Sequence, residues 1–302
     1  MIRTVLGDIS SDNITGAYVH EHLIIDSPIV KSQMPHIFLD NTRDAITEIS
    51  DCLKAGINLL VDCMPGESGR DIKKLIKISS DSGVHVIGAT GMHNPKYYSS
   101  DSFYLKADRE KLAQVFLKEI SESCGIIKIH SLSEKLSSLE SEIFAAAVHT
   151  QRLTGAPILT HCEEGRGALA QINELNNLGA DLTKTVLSHT DKQPDYGYHR
   201  EILNSGINVE YDQSLRQANT EFRPSLDLTV EMCNSGFTNQ IMLGTDGARR
   251  SLWKTLGGNP GLSWLATGWR KLLLEAGLTK ADLHMFFCEN PRRFLSWSHV
   301  NK

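Results

Sequence analysis

Four histidines, one lysine and one aspartate are the residues of this sequence whose types and spacing could do chemistry together. His20 and His22 lie two apart in the short run Tyr18-Val19-His20-Glu21-His22-Leu23. Successive side chains of a strand point to opposite faces, so both imidazoles would share one face. Two imidazoles in one space suit a metal ion, because histidine is the commonest metal ligand near neutral pH. The pair alone does not distinguish a metal site from two ordinary polar histidines.

The other candidates fall in or at the end of later strand-like runs. Lys128 lies within the apolar run 125–130, and His161 and His189 end two further runs. Asp246 ends the last run, Leu243-Gly244-Thr245-Asp246-Gly247. Histidine nitrogens together with carboxylate-type oxygens suit divalent zinc, with manganese, cobalt or iron as alternatives.

Lys128 is the unusual member of this set, because an unpaired ammonium is costly inside an apolar run. Such a lysine either loses its proton or pairs with a carboxylate, and the sequence leaves both outcomes open. A neutral amine beside metal ions can react with carbon dioxide to give a carbamate, an anionic ligand that bridges two cations. Two metals about 3.5–4 Å apart can share a hydroxide and polarise a substrate oxygen, which favours hydrolysis of a carbonyl or phosphoryl centre.

Eight short runs that alternate with helical segments would position these residues. The runs are continuously apolar, as in parallel strands buried on both faces. They cover residues 17–22, 57–62, 84–90, 126–130, 157–161, 185–189, 207–212 and 240–246. Helical periodicity predicts helices over 42–55, 71–80 and 137–154. This alternation favours an α/β chain folded as one (β/α)₈ TIM barrel, whose active sites lie where the strands end. An open doubly wound sheet is disfavoured, because no glycine-rich phosphate loop follows the first strand.

Composition narrows the class of protein further. The 302 residues are 40% hydrophobic and carry a net charge of −5, so no basic field favours nucleic acid or an anionic membrane. No stretch approaches the ~18 apolar residues of a membrane span, and the first residues lack the apolar run of a signal peptide. The six cysteines are scattered and form no C-x-x-C pair. We therefore expect a cytoplasmic protein without disulfides, whose partner is a small molecule.

The joint pattern resembles a known family. Val19-His20-Glu21-His22-Leu23, followed by Lys128, His161, His189 and Asp246, looks like the phosphotriesterase-related family of the amidohydrolase superfamily, within its homology-protein and lactonase branch. Further matches are Thr4-Val5-Leu6-Gly7-Asp8-Ile9 near the start and Glu289-Asn290-Pro291 near the end. The resemblance covers essentially the whole chain, so residues 1–302 are expected to form a single metal-dependent hydrolase domain.

The resemblance also implies roles for the six residues. It implies two divalent metals, most simply zinc, with these ligands: His20, His22 and Asp246 for one, His161 and His189 for the other. Lys128, as N6-carboxylysine, would bridge the metals together with a hydroxide, although some members of the family have glutamate there. The hydroxide would attack the substrate, and Asp246 would pass its proton to the leaving group. A homodimer is a further implication.

The loop after the last strand, 247–258, is the most informative about substrate. Arg249, Arg250 and Lys254 follow Asp246 closely. Arginine matches the geometry of phosphate or carboxylate, and a neutral organophosphate has no use for such cations. We therefore predict hydrolysis of a small anionic ester or lactone, such as a sugar or phosphorylated lactone. The alternatives are a phosphotriester or phosphodiester hydrolase and a non-catalytic binding protein. The three cations could equally be solvated or pair with carboxylates on the rim.

Other polar residues near the predicted strand ends are weaker candidates. His93 and Asn94 could contact substrate, Tyr97 and Tyr98 could form part of the pocket wall, and Arg216 lies on the loop after the seventh strand. An ordinary loop position explains each of them at least as well. His130 follows Lys128 by two residues on the same strand face and could support the site from behind. His36 lies outside the rim pattern and receives no role.

Overall fold

A sheet of eight parallel strands dominates the computed structural model, which describes residues 1–297. A short antiparallel hairpin precedes it, formed by β1 (Ile2–Thr4) and β2 (Gly7–Ile9). The parallel strands are β3 (Ala17–Glu21), β4 (Leu59–Asp62), β5 (His85–Gly91), β6 (Cys124–Ser131), β7 (Ile158–Cys162), β8 (Thr185–Ser188), β9 (Asn208–Tyr211) and β10 (Ile241–Leu243). Each is hydrogen-bonded to the next in chain order. All eight overlap the runs predicted from sequence, whereas the hairpin was not predicted.

Backbone hydrogen bonds just beyond β10 bring the two edges of the sheet together. The amides of Thr245 and Asp246 donate to the carbonyl of His20 on β3, at 3.2 and 3.1 Å. The amide of Gly244 donates to the carbonyl of Tyr211 on the neighbouring strand, at 3.1 Å. The sheet is therefore nearly closed into a barrel, and the predicted fold class is confirmed.

Helices connect the strands and cover the outside of the barrel. They are α1 (Pro28–Gln33), α2 (Thr42–Lys54), α3 (Ile72–Ser82), α4 (Arg109–Glu122), α5 (Ser138–Thr154), α6 (Ala168–Leu178), α7 (Tyr196–Asn204), α8 (Pro224–Met232), α9 (Arg270–Glu275), α10 (Lys280–His284) and α11 (Asn290–Leu295). The three helices predicted from periodicity are confirmed as α2, α3 and α5. Asn41 and Asp71 cap the first turns of α2 and α3, and Gly83 ends α3 in the left-handed conformation. Within residues 1–297, the structure contains no helix long and apolar enough to cross a membrane.

Buried apolar side chains form two clusters, one inside the barrel and one between the sheet and the helices. On β6, Ile126 belongs to the inner cluster, and Ile127 and Ile129 belong to the outer one. Since side chains alternate along a strand, Lys128 and His130 project inward with Ile126. Burial on both faces explains why these runs are apolar throughout.

The hairpin and the last helix close one end of the barrel. Ile2, Ile14, Phe294 and Leu295 all belong to the inner apolar cluster, and they are contributed by segments outside the eight strands. They lie at the end where the strands begin, because Ile14 immediately precedes β3. The barrel interior is therefore accessible from the end where the strands terminate.

One buried carboxylate of α2 holds the loop that follows β10. Glu48 accepts hydrogen bonds from the backbone amides of Thr255 and Leu262, each at 3.0 Å. The side chain is buried, so both amides would lose their partner without access to water. Glu48 was not predicted to matter, because the contact joins residues more than 200 positions apart.

We expect Glu48→Gln to lower the free energy of unfolding by about 1–3 kcal/mol, because a glutamine offers one carbonyl oxygen to two buried amides. Equilibrium unfolding in urea measures the change. Glu122→Gln, on the exposed side of α4, is the matched control and should change stability by less than about 0.5 kcal/mol. Equal stability of the two variants would contradict this role of Glu48.

Candidate active site

Five of the six predicted residues line one cavity of about 560 Å³ where the strands end. They are His20, His22, His161, His189 and Asp246. The sixth, Lys128, is 1% exposed and lies against this group, with its Nζ 3.5 Å from His20 Nε2. Residues separated by more than 200 positions in the sequence therefore meet in one place.

The imidazoles are packed closely enough to share ions. Ring centroids are 5.3 Å apart for His20 and His22, 4.8 Å for His20 and His189, and 4.4 Å for His161 and His189. The Oδ1 atom of Asp246 lies 3.3 Å from His22 Nε2 and 3.9 Å from His20 Nε2. These separations place one carboxylate oxygen between two histidine nitrogens, as metal ligands require.

An irregularity in β3 directs His20 into the cavity. The register between β3 and β4 shifts between Tyr18 and Glu21. Val19 belongs to the apolar cluster inside the barrel, and yet its neighbour His20 also lines the cavity. A bulge re-aims a side chain in this way, and bulges are common beside active sites. Simple alternation predicted correctly that His20 and His22 share a face, but it could not predict this bulge.

Two of the six predicted site residues have backbones in the left-handed region. His189 has φ 68° and Asp246 has φ 43°. This conformation is uncommon for residues other than glycine and costs of order 1–3 kcal/mol unless the surroundings compensate. Such positions concentrate at functional sites, which supports a functional role for both residues.

Glu21 and Asp62 fix the backbone beside the cavity from the other side of the sheet. Glu21 accepts hydrogen bonds from the amide and hydroxyl of Thr245, at 2.9 and 2.6 Å. Asp62 accepts from the amides of Leu23 and Ile24, at 2.7 and 3.1 Å. The residues adjacent to Asp246 and His22 are therefore held by buried carboxylates.

The surroundings of Lys128 favour a neutral amine. Burial lowers the pKa of the Lys128 amine. Cys63 and the nearby carboxylates act in the opposite direction and raise it. Its hydrogen-bond contact is with His20, and no carboxylate of residues 1–297 forms an ion pair with it. The alternative of a lysine paired with a carboxylate therefore finds no partner within the described residues, and the amine is available to become a ligand.

Asp212 supports His189 from below the cavity. One carboxylate oxygen lies 2.5 Å from His189 Nδ1, and the same oxygen accepts from the amide of His189 at 3.1 Å. Burial alone would raise the pKa of Asp212, but His189 lowers it to about 2, so the group is ionised. An ionised carboxylate there favours the proton on Nδ1 and leaves Nε2 free to bind a metal. Sequence reasoning missed Asp212, although it ends the predicted run 207–212.

We expect Asp212→Asn to weaken metal binding or turnover by about 10–100-fold, because the amide no longer fixes the tautomer of His189. Metal content after dialysis and kcat at saturating metal measure the two effects. Asp227→Asn, on the exposed face of α8, is the matched control. Equal metal retention and turnover in both variants would contradict the supporting role.

Arg216 binds the carboxylate of Asp246. Its guanidinium donates to Asp246 Oδ2 at 2.7 Å and to the carbonyl oxygens of Asp246 and Thr245, at 3.0 and 3.1 Å. Burial would raise the pKa of Asp246, but Arg216 and the neighbouring histidines hold it well below its usual value. Asp246 is therefore an anion, with Oδ2 on Arg216 and Oδ1 directed at the histidines.

The three cations predicted in the last loop lie in different surroundings. Arg249 lines the cavity. Arg250 donates instead to the carbonyl of Phe38, at 2.9 Å, and Lys254 lies beside Gly261; neither belongs to the cavity lining. Sequence spacing placed all three beyond Asp246 and could not distinguish their directions.

Other charged and aromatic groups complete the cavity wall. Its lining also includes Lys96, Lys192, His36, His93 and Tyr97. Lys192 lies three residues after His189, which is the signal that could have indicated it, whereas Lys96 and His36 lie in loops without a recognisable pattern. His36 was assigned no role from sequence, and its position in the lining was therefore missed.

The donor set fits divalent cations. Two groups of three residues have ligand atoms within 4.8 Å of one another: His20, His22 and Asp246, and His20, His189 and Asp212. Burial lowers the pKa of His20 and His189, and it lowers that of His161 to about 3, so these imidazoles are neutral and keep a lone pair for a metal. In this structure His161 Nε2 lies 2.8 Å from Glu163 Oε2.

Comparison with known proteins matches this chain to one family over nearly its full length. The profile of the Phosphotriesterase family matches residues 1–295. The phospho-furanose lactonase of Mycoplasmopsis synoviae (strain 53) is 28% identical over 326 residues, covering 98% of this chain and 91% of that protein.

Two crystal structures show the same fold. A lactonase from Listeria monocytogenes has a TM-score of 0.90 at 23% identity, covering 98% of this chain and 99% of that chain. The phosphotriesterase homology protein from Escherichia coli, complexed with phosphate in its active site, has a TM-score of 0.87 at 26% identity. That match covers 94% of this chain and 100% of the other.

Proposed function

This chain belongs to the phosphotriesterase family and is a hydrolase, and from this premise we propose that it opens a small anionic lactone or ester with two divalent metal ions. The observation that carries the proposal is the convergence of four imidazoles, a buried lysine and an ionised aspartate on one cavity. We include in the proposal that residues 1–302 form one catalytic domain, and that the enzyme is a cytoplasmic homodimer.

We propose that the metals are zinc ions held by the residues predicted from sequence. The ligands would be His20, His22 and Asp246 for one ion and His161 and His189 for the other, with Lys128 as N6-carboxylysine between them. When bound, the two cations supply a polarised scissile carbonyl and an activated water. The lowered pKa values of His20, His161, His189 and Lys128 support this assignment, because ligands must bind without their proton.

Asp246 is positioned to move the proton of the attacking water. Its low pKa keeps it ionised, and Arg216 fixes one of its two oxygens at 2.7 Å. The free oxygen faces the histidines, so it can accept a proton there and donate it to the departing alkoxide. Arg216 fixes the carboxylate through contacts with Oδ2 and two carbonyl oxygens, which limits rotation of the accepting group.

The cations of the cavity wall support an anionic substrate, and they outnumber the two glutamates of the wall, Glu163 and Glu164. Arg249, Lys96 and Lys192 line the same space as the histidines, so a phosphate or carboxylate on the substrate would find cations there. The names of similar proteins agree with this chemistry, since one is a phospho-furanose lactonase and another holds phosphate in its active site. A neutral phosphotriester would gain nothing from these cations.

A substrate panel assayed with metal-reconstituted protein tests the proposal. The panel contains γ- and δ-lactones of sugars with and without a phosphate group, an aryl ester and a neutral phosphotriester. We expect the highest kcat/KM for a phosphorylated lactone. A phosphotriester that is hydrolysed faster than every lactone would support the alternative activity. No turnover of any substrate by protein loaded with two metals would favour a binding protein.

We expect Arg249→Ala to raise KM for a phosphorylated lactone by about 10–100-fold, because a charge-assisted contact contributes about 1.5–3 kcal/mol. The unphosphorylated lactone serves as the internal reference, since its KM should change little. Lys254→Ala is the matched control, because Lys254 lies outside the cavity lining. Equal effects of Arg249→Ala on both lactones would contradict binding of the anion by Arg249.

A further inference from the structure

A second group of possible metal ligands lies outside the cavity. His284 ends α10, and Cys288 and Glu289 follow it in the turn that leads into α11. One ligand atom from each residue lies within 4.8 Å of the other two. His284 Nε2 and Glu289 Oε1 are 3.1 Å apart.

The helix geometry brings these three residues to one side. Residues Met285–Glu289 form a π-helical turn, in which hydrogen bonds span five residues instead of four. His284 and Glu289, five residues apart, would diverge around a regular α-helix, but here they are adjacent. Cys288 lies between them in the sequence and is 2% exposed. π-Helical turns are rare and are often found at functional sites.

This cluster lies at the end of the barrel opposite the active site. The thiol of Cys288 donates to the carbonyl of Ile14 at 3.4 Å, and Ile14 belongs to the apolar cluster that closes the end where the strands begin. Cys288 and His284 also line a cavity of about 360 Å³ together with Thr15. The cluster is therefore separate from the catalytic cavity, and water and ions can reach it.

The ligand types select the class of metal. Thiolate, imidazole and carboxylate together suit Zn²⁺ or Co²⁺, whereas calcium and magnesium prefer oxygen ligands alone. The imidazole of His284 is 59% exposed and can turn towards an ion, and the open cavity leaves a fourth position for water.

Two neighbouring arginines would weaken metal binding by repulsion, but they leave ligand atoms free for the ion. Arg292 donates to Glu289 Oε1 at 2.9 Å, which leaves Oε2 for a metal. Arg270 lies on the ring of Phe287, 4.6 Å from its centroid. Burial raises the pKa of the Cys288 thiol, and Arg292 opposes this rise, so the metal itself must displace the proton to form the thiolate that binds it.

We propose that His284, Cys288 and Glu289 bind one additional zinc-class ion at the turn between α10 and α11. On binding, the Cys288 thiol releases its proton to solvent, and its sulfur forms a bond to the metal. The carbonyl of Ile14 then loses the thiol donor but keeps its hydrogen bonds from Arg292. This inference is independent of the activity proposed above.

Cobalt substitution of the full-length protein tests the inference with a readout that the active site does not share. The ligands proposed there are nitrogen and oxygen atoms, so a thiolate-to-cobalt charge-transfer band in the near ultraviolet would report a cysteine ligand. We expect this band in the parent protein, its loss in Cys288→Ser, and one cobalt equivalent fewer in His284→Ala. Hydrolytic activity of His284→Ala should equal that of the parent.

Cys63→Ser is the matched control, because Cys63 is buried inside the barrel and is electrostatically coupled to Lys128. The band should persist in this variant. A band that is absent from the parent, that survives in Cys288→Ser or that disappears in Cys63→Ser would overturn the proposal. His284 is exposed, so His284→Ala should fold even if Cys288→Ser does not. Metal content equal to that of the parent in folded His284→Ala would likewise overturn it.

Discussion

Replacing Asp246 with asparagine should lower kcat by about 10²–10⁴-fold, because the amide cannot accept and return the proton of the attacking water. Asparagine keeps a carbonyl oxygen that can remain near His22, so we expect much of the metal to be retained. The pKa of Asp246 is well below its usual value, and the parent carboxylate is therefore ionised at every pH at which the enzyme is assayed.

Metal analysis and steady-state kinetics on the same preparation separate these two effects. Asp195→Asn is the matched control, since Asp195 is an exposed residue that caps α7. Full activity in metal-loaded Asp246→Asn would refute the proton-transfer role. Loss of metal in proportion to activity would show that Asp246 acts as a ligand alone.

Removal of the Lys128 side chain should have an effect at least as large. We expect Lys128→Ala to lose at least about 10³-fold in kcat and to retain less metal, because the substitution would remove the proposed anionic ligand between the two cations. The side chain is fully buried, so the substitution leaves space beside His20. Formate or acetate should occupy that space and restore part of both metal content and activity.

This rescue distinguishes a carboxylated lysine from a structural one. A lysine that only filled space could be replaced by methionine, which has a similar volume, at little cost to metal content or activity. Active Lys128→Met protein with full metal content would therefore contradict the bridging role. Lys135→Ala, at an exposed position, is the matched control and should respond neither to acetate nor to bicarbonate.

The barrel could be predicted from local sequence signals. Continuous apolar runs such as 126–130 report strands buried on both faces, and capping residues such as Asn41 and Asp71 mark where helices begin. The hairpin Ile2–Thr4 and Gly7–Ile9 escaped prediction, because its two strands are too short to show a period. Its role depends on contacts with the far end of the chain.

The sequence predicts which residues form the candidate site, but it does not predict the directions in which their side chains point. Parallel strands all end at the same rim, so His20, Lys128, His161 and Asp246 could be placed together from their positions in the runs. His189 follows the last residue of its strand, and its left-handed backbone gives it a direction that alternation does not predict. The sequence also gave no sign that Asp212 would support this histidine.

The sequence itself determined the order of the elements, their apolar faces and the six residues that converge. Each of these features depends on patterns along a short stretch of chain. The tertiary structure decided the bulge that turns His20 inward and the binding of Arg216 to Asp246. It also decided that, of the three cations in the last loop, Arg249 lines the cavity and Arg250 and Lys254 do not. Each of these depends on backbone positions set by partners elsewhere in the chain, such as the carbonyl of Phe38 that binds Arg250. Contacts of that kind leave no local pattern in the sequence.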